Sequence, residues 1–176
     1  MIETEHSFQI AAPLDEVWDY VRNIENWASS MPGYSSFELV DDQHSKWVLK
    51  VSMGALVRTV KLAVEITEQR KPDHIAFSLE GENDPVHGTG TFDAKANGLT
   101  ETDVAFTLAI TGSGAAAGTM EAISRPIVPR MARKVGDKLK EEIEGRSGTT
   151  SAAAVEVRVG PLKRFWLWLR GGRQRA

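Results

Sequence analysis

Side chains that could do chemistry are few and scattered in this sequence. Histidines stand only at positions 6, 44, 74 and 87, and cysteine is absent. A cysteine nucleophile, an iron–sulfur cluster, a thiolate zinc site and a disulfide scaffold are therefore excluded, and no metal site built from histidines is expected. His6 alternates with Phe8 and Ile10 and should point inward. A histidine in that position can act as a general acid or base, but a lone one among apolar neighbours is read first as a hydrogen-bonded core residue. His87 should face solvent, and His44 and His74 lie in or beside turns. Asp41-Asp42 and Glu141-Glu142-x-Glu144 read as turn and helix-surface charge rather than acid–base pairs. No Ser or Thr stands at a motif spacing from a base. Gly112-x-Gly114-x-x-x-Gly118 sits where a strand passes into a helix, as a dinucleotide-binding turn does. Its spacing departs from G-x-G-x-x-G, and no second β unit follows, so it reads as a glycine-rich entry to a helix. No catalytic residue is assigned.

The elements that would position an interior site are clearer. Thr4, His6, Phe8 and Ile10 alternate as a first strand over 3–10. Pro13, with Asp15 and Glu16 behind it, opens a short helix whose apolar face is Leu14, Val17, Trp18 and Val21. A second short helix over 24–30 stops at Met31-Pro32-Gly33. Alternation then recurs through Phe37 and Leu39; through Trp47, Leu49, Val51 and Met53; and through Val60, Leu62, Val64 and Ile66. It continues through Ile75, Phe77 and Leu79; through Val86, Gly88, Gly90 and Phe92; and through Val104, Phe106, Leu108 and Ile110. Ala96-Asn97-Gly98 marks a hairpin. Strands with one apolar and one polar face predict an antiparallel sheet covered on one side. From Ala115 onward, Met120, Ile123, Ile127, Met131, Val135, Leu139 and Ile143 recur at helical spacing, with Pro126 and Pro129 expected to kink or split the helix near residue 125. The fold class is thus α+β: a curled antiparallel sheet of about seven strands around a long C-terminal helix, with two short helices after the first strand.

A space between such a sheet and its helix is either filled by large side chains or left partly open by small ones. Gly88, Gly90 and the run Ala115-Ala116-Ala117-Gly118 are small, while Met53, Met120 and Met131 are adaptable linings. Inward alternation picks out Trp47, Leu49, Val51, Leu62, Val64, Phe77, Leu79, Phe92, Phe106 and Leu108 from the strands. The helix stripe adds Met120, Ile123, Ile127 and Met131. Together they are the candidate ligand-binding residues, for a lipophilic ring-like or chain-like molecule. The same residues could equally pack a solid core, and pattern alone leaves both readings open.

Charge divides the chain. From Gly145 onward there are seven basic residues and one acid, a net charge of +6; residues 1–144 carry 14 basic and 23 acidic residues, a net charge of −9. An acidic body argues against a nucleic-acid partner. The N-terminus, Met-Ile-Glu-Thr-Glu-His, lacks the basic-then-apolar pattern of a secretory signal. The expected organisation is a ligand-binding domain over 1–144, a small, polar, flexible linker over 145–160, and a basic aromatic tail over 161–176. In the tail Leu162, Phe165, Trp166 and Leu169 form a helical stripe among Lys163, Arg164, Arg170, Arg173 and Arg175, with Trp168 beside it. Ten helical residues reach only ~15 Å, too short to span a bilayer. Lys163, Arg164, Phe165, Trp166, Trp168 and Arg170 are the candidate membrane-binding residues of an interfacial helix. Five basic residues near anionic lipid are worth ~5 kcal/mol. Docking on a protein, or folding back on the domain, is the alternative.

The run Phe8-x-Ile10-x-Ala12-Pro13-x-x-Glu16-Val17-Trp18-x-Tyr20, Met31-Pro32-Gly33, Met53-Gly54-Ala55 and Gly88-x-Gly90, followed by a glycine-ended strand and a long helix, resembles the START-like (SRPBCC) superfamily of helix-grip folds. Within it, the G-type subunit family of carbon monoxide dehydrogenase is the nearer resemblance, covering residues 3–144; Gly54-Ala55 stands where many relatives have Gly-Pro. The resemblance implies a hydrophobic cavity under the long helix. It also implies cytoplasmic association with a molybdenum CO dehydrogenase at the inner face of the cell membrane. CO oxidation releases electrons that a lipid-soluble quinone would carry onward, which makes a menaquinone-like quinone the expected ligand and no covalent cofactor necessary. A polyketide cyclase-like enzyme using His6, and a recruitment factor with an incidental cavity, are the competing expectations.

Overall fold

The computed structural model describes the backbone over residues 1–53, 56–114 and 117–156, and the side chains there except at 53, 56, 117, 119, 120, 123 and 149–156. The chain divides into two units, residues 1–144 and 145–176. The first holds a seven-stranded sheet in which every neighbouring pair is antiparallel. Its strands are β1 (Ile2–Ile10), β2 (Tyr34–Leu39), β3 (His44–Met53), β4 (Leu56–Arg70), β5 (His74–Gly81), β6 (Val86–Asn97) and β7 (Glu101–Gly112). Their order across the sheet is β1-β7-β6-β5-β4-β3-β2. Successive strands from β2 to β7 are neighbours, as hairpin connections dictate. β1 instead lies beside β7, pairing Ile2 with Ile110 and Ile10 with Thr102.

The helices α1 (Leu14–Val21) and α2 (Ile24–Ser30) carry the chain from the β1 edge of the sheet to the β2 edge. Pro13 precedes α1, and Asn23 caps α2 by accepting from the Glu25 N–H at 3.0 Å. The turn into α1 is pinned by the buried Thr102 hydroxyl, which donates to the Ala12 carbonyl at 2.8 Å. Gly98, with φ of 75°, makes the β6–β7 hairpin in the left-handed region that favours glycine.

Pro126 and Pro129 split the C-terminal helix where the sequence predicts, into α3 (Ala117–Ser124) and α4 (Val128–Glu156). The α4 stripe Val128, Ala132, Val135, Leu139 and Ile143 is buried in one core with the inward residues of the sheet, including Ile10, Leu49, Phe92 and Val104. Two bonds latch α4 to the end of β1: Lys140 Nζ donates to the Gln9 carbonyl at 2.8 Å, and Glu144 accepts from the Ala11 N–H at 2.8 Å. At Gly136 the helix passes directly over β1: a Cβ there would lie 2.8 Å from His6 Cδ2 and 2.9 Å from Phe8 Cε1.

Two expectations need correction. The segment predicted as a flexible linker from Gly145 is helical as far as Glu156, because α4 simply continues. Extending an existing helix avoids the nucleation penalty, and Ala152-Ala153-Ala154 are the strongest helix formers. Gly88 and Gly90 do not leave open space either. A Cβ on Gly88 would lie 2.8 Å from Ile110 Cδ1 and 3.0 Å from Leu79 Cδ1, and one on Gly90 would strike the Phe77 ring. These glycines let neighbouring side chains fold over the strand. Gly90→Val should accordingly lower stability by about 1–3 kcal/mol through overpacking, seen as an earlier denaturation midpoint with an unchanged slope.

Candidate functional site

The inward face of the sheet and the start of α4 border two apolar chambers that share Met31, Leu62, Leu79, Leu108 and Met131. The larger holds about 170 Å³ and lies at one end of the sheet. Val51 near the end of β3, Val60 of β4, Val86 of β6 and Ile110 of β7 form its walls, and Ser124, Ile127 and Val128 at the α3–α4 junction border it. The smaller holds about 50 Å³ and runs deeper, between Trp47, Val64, Ile66 and Ile75 on the sheet and Ala132 and Val135 on α4. Its floor is aromatic. Trp27 lies 5.2 Å from Phe92 edge-on and 5.8 Å from Phe106, and Phe77 stacks on Phe106 at 6.1 Å. The Trp27 indole N–H is satisfied by the Val21 carbonyl, so this large side chain is buried without an orphan donor.

Of the candidate residues, Leu49, Val51 and Ile127 line the larger chamber; Trp47, Val64, Phe77 and Phe106 line the smaller; Leu62, Leu79, Leu108 and Met131 line both. Phe92 lines neither. It is wholly buried against Trp27 and belongs to the core, so its place among the candidates is corrected. The side chains of Met120 and Ile123 lie outside the described residues. So do the tail candidates Lys163, Arg164, Phe165, Trp166, Trp168 and Arg170.

Several lining residues were not foreseen. Trp27 and Met31 come from α2 and the turn after it, where no strand or long-helix period marks them as inward. Among the described residues, Arg58 and Asp84 are the only charged ones in the lining of either chamber. Arg58 has the same strand parity as Val60, Leu62, Val64 and Ile66, a signal that was present in the sequence. Its guanidinium donates to the Asp84 carboxylate; the Arg58 side chain is 50% exposed and that of Asp84 7%, so the pair runs from solvent into the chamber wall. Burial of Asp84 is tolerable because the arginine compensates it.

His6 is half-buried on the inward face of β1 and stacks on Phe8 at 5.3 Å. Its Nε2 is buried with no hydrogen-bond partner. It lines neither chamber, lying instead under Gly136 of α4. Among the described residues no group of three or more carboxylates and histidines could hold a metal ion, and no helix is long and apolar enough to cross a membrane.

A family model described as "Polyketide cyclase / dehydrase and lipid transport" matches residues 1–144. The chain belongs to this family. Solved structures show the same helix-grip fold. A conserved protein of Geobacillus kaustophilus aligns with a TM-score of 0.68 at 20% identity, over 81% of this chain and 95% of its own. A START superfamily protein of Mycobacterium smegmatis aligns with a TM-score of 0.60 at 13% identity, over 84% and 98%. The Zhui aromatase/cyclase of a Streptomyces species aligns with a TM-score of 0.54 at 19% identity, over 77% and 92%. In sequence, a protein described as a putative polyketide cyclase of Streptomyces halstedii is 36% identical over 50 residues, 28% of this chain and 46% of that protein. The chain thus spans under half the length of that curated relative. The resemblance to the carbon monoxide dehydrogenase family is finer than these matches reach.

Proposed function

We propose that this chain is a non-enzymatic carrier that binds a lipophilic molecule, a menaquinone-like quinone foremost, between its sheet and α4. In this reading the basic aromatic tail holds it at the inner face of the cell membrane, where it offers the bound quinone to a molybdenum CO dehydrogenase; the quinone takes up the two electrons and two protons of CO oxidation and returns to the membrane pool as the quinol. The observation that carries the reading is the pair of neighbouring apolar chambers, which share Met31, Leu62, Leu79, Leu108 and Met131, with one ion pair in the wall of the larger. A lipophile gains ~25 cal/mol for each Å² of apolar surface it removes from water, and such linings seldom hold water. A cavity of about 150 Å³ accepts a benzene ring, so about 170 Å³ suits a ring head better than a whole isoprenoid chain. Met31 and Met131, which border both chambers, are the flexible side chains that can yield to more. The CO dehydrogenase partnership and the membrane location rest on the sequence resemblance and on the cationic tail.

Solvent extraction of the full chain purified from cells, followed by lipid analysis, tests the carrier. Near-stoichiometric isoprenoid quinone is expected, and protein that yields no lipophile and takes up none overturns the reading. The anchor has its own check. Sedimentation with anionic liposomes should fall at least ~10-fold when residues 161–176 are removed, as the loss of several cationic contacts requires. Equal sedimentation of the two forms refutes it.

The family's description favours a second reading, a cyclase-like enzyme. Its candidate base is His6, whose unpartnered Nε2 marks it but whose ring sits outside both chambers. His6→Ala with ligand binding intact and turnover lost would favour that reading.

A further inference from the structure

The Arg58–Asp84 pair bears on what kind of head group the ligand carries. Arg58 occupies an inward register position on β4, opposite Val51 of β3, in a row otherwise made of Val60, Leu62, Val64 and Ile66. Nothing about packing demands an arginine there. Asp84 lies in the β5–β6 connection, its carboxylate turned into the wall, and its own carbonyl accepts from the Val86 N–H at 2.7 Å. A guanidinium has five N–H donors in a planar fork. The contact recorded between the two side chains runs from Nη2 to one carboxylate oxygen, which leaves further donors on Arg58 at the larger chamber.

We propose that the ligand bears a neutral oxygen acceptor, a ketone or quinone carbonyl, which Arg58 receives while Asp84 cancels the arginine's charge. This rests on the chambers being a ligand site at all. Charge arithmetic selects the head group. The pair is neutral as a unit, and every other lining residue of the larger chamber is apolar apart from Ser124. A carboxylate head would bring in an uncompensated negative charge beside the buried Asp84, and an amine would be repelled by Arg58. A carbonyl adds no charge and accepts a charge-assisted hydrogen bond, which is stronger than a neutral one.

The test compares three probes with the same two-ring body on the full chain: menadione, methylnaphthalene and naphthoate. The protein has no thiol for the quinone to modify. Dissociation constants are measured by calorimetry on the wild type and on Arg58→Met/Asp84→Leu, which removes both charges so that neither is left buried alone. The ratio of menadione to methylnaphthalene dissociation constants should rise about 10-fold in the double variant, as loss of one charged hydrogen bond requires. Methylnaphthalene should bind the variant at least as well as the wild type, which also shows that the chamber is intact. Naphthoate should bind the wild type at least ~10-fold more weakly than menadione. An unchanged ratio, or naphthoate binding more tightly than menadione, overturns the head-group proposal while methylnaphthalene binding leaves the chamber standing. Failure of all three probes to bind the wild type overturns both.

Discussion

Met131→Trp should abolish uptake of an apolar probe while the chain remains folded. Met131 borders both chambers from α4, facing Leu62, Leu79 and Leu108 across the gap, so an indole there projects into space that a ligand would use. A two-ring probe denied on the order of 100 Å² of apolar contact loses about 2.5 kcal/mol, close to 100-fold in affinity. Filling existing space limits the penalty that overpacking normally brings. Calorimetry with methylnaphthalene checks the affinity, and chemical denaturation checks the fold. A variant that is as stable as the wild type and binds as tightly would place the ligand elsewhere.

Trp27→Ala should be the most destabilising single change, by about 3–5 kcal/mol. The indole touches Phe77, Phe92 and Phe106 and bonds the carbonyl at the end of α1, so it joins the aromatic floor to both short helices. Its removal would merge a new void with the smaller chamber, which it already lines. That is a large share of the ~5–15 kcal/mol by which a domain of this size is stable. Urea denaturation of the full chain measures it. A loss below ~1 kcal/mol would mean that the floor collapses to fill the gap.

The strand period made the sheet legible. Each alternating run, from Thr4–Ile10 to Val104–Ile110, forms a strand in the structure, because a half-covered antiparallel sheet imposes a period of two on every strand. Pro126 and Pro129 were legible for a local reason, since an imino nitrogen cannot continue the helical ladder. The open space was less so. Gly88 and Gly90 suggest a void on composition, yet Phe77, Leu79 and Ile110 close over them from adjacent strands, a tertiary fact with no local signature. Phe92 and Phe106 have the same parity and residue type and both pack on Trp27, yet only Phe106 also reaches a chamber wall, a difference of tertiary placement that the strand period does not carry. Arg58 was readable in principle. Its parity places it inward, but a charged residue at the start of an apolar run is easily assigned to the preceding turn.

The pairing of β1 with β7 has a consequence for biosynthesis. Ile2 finds its partner only at Ile110, so β1 leaves the ribosome long before the strand it pairs with. At ~5–20 residues per second that interval is roughly 5–20 s, during which β2 to β6 can zip together by local hairpins while one edge stays unclosed. A nascent chain stalled before residue 101 would therefore display β1 with no mate, its inward residues Ile2, Phe8 and Ile10 uncovered, and such stalled chains are where chaperone capture should concentrate.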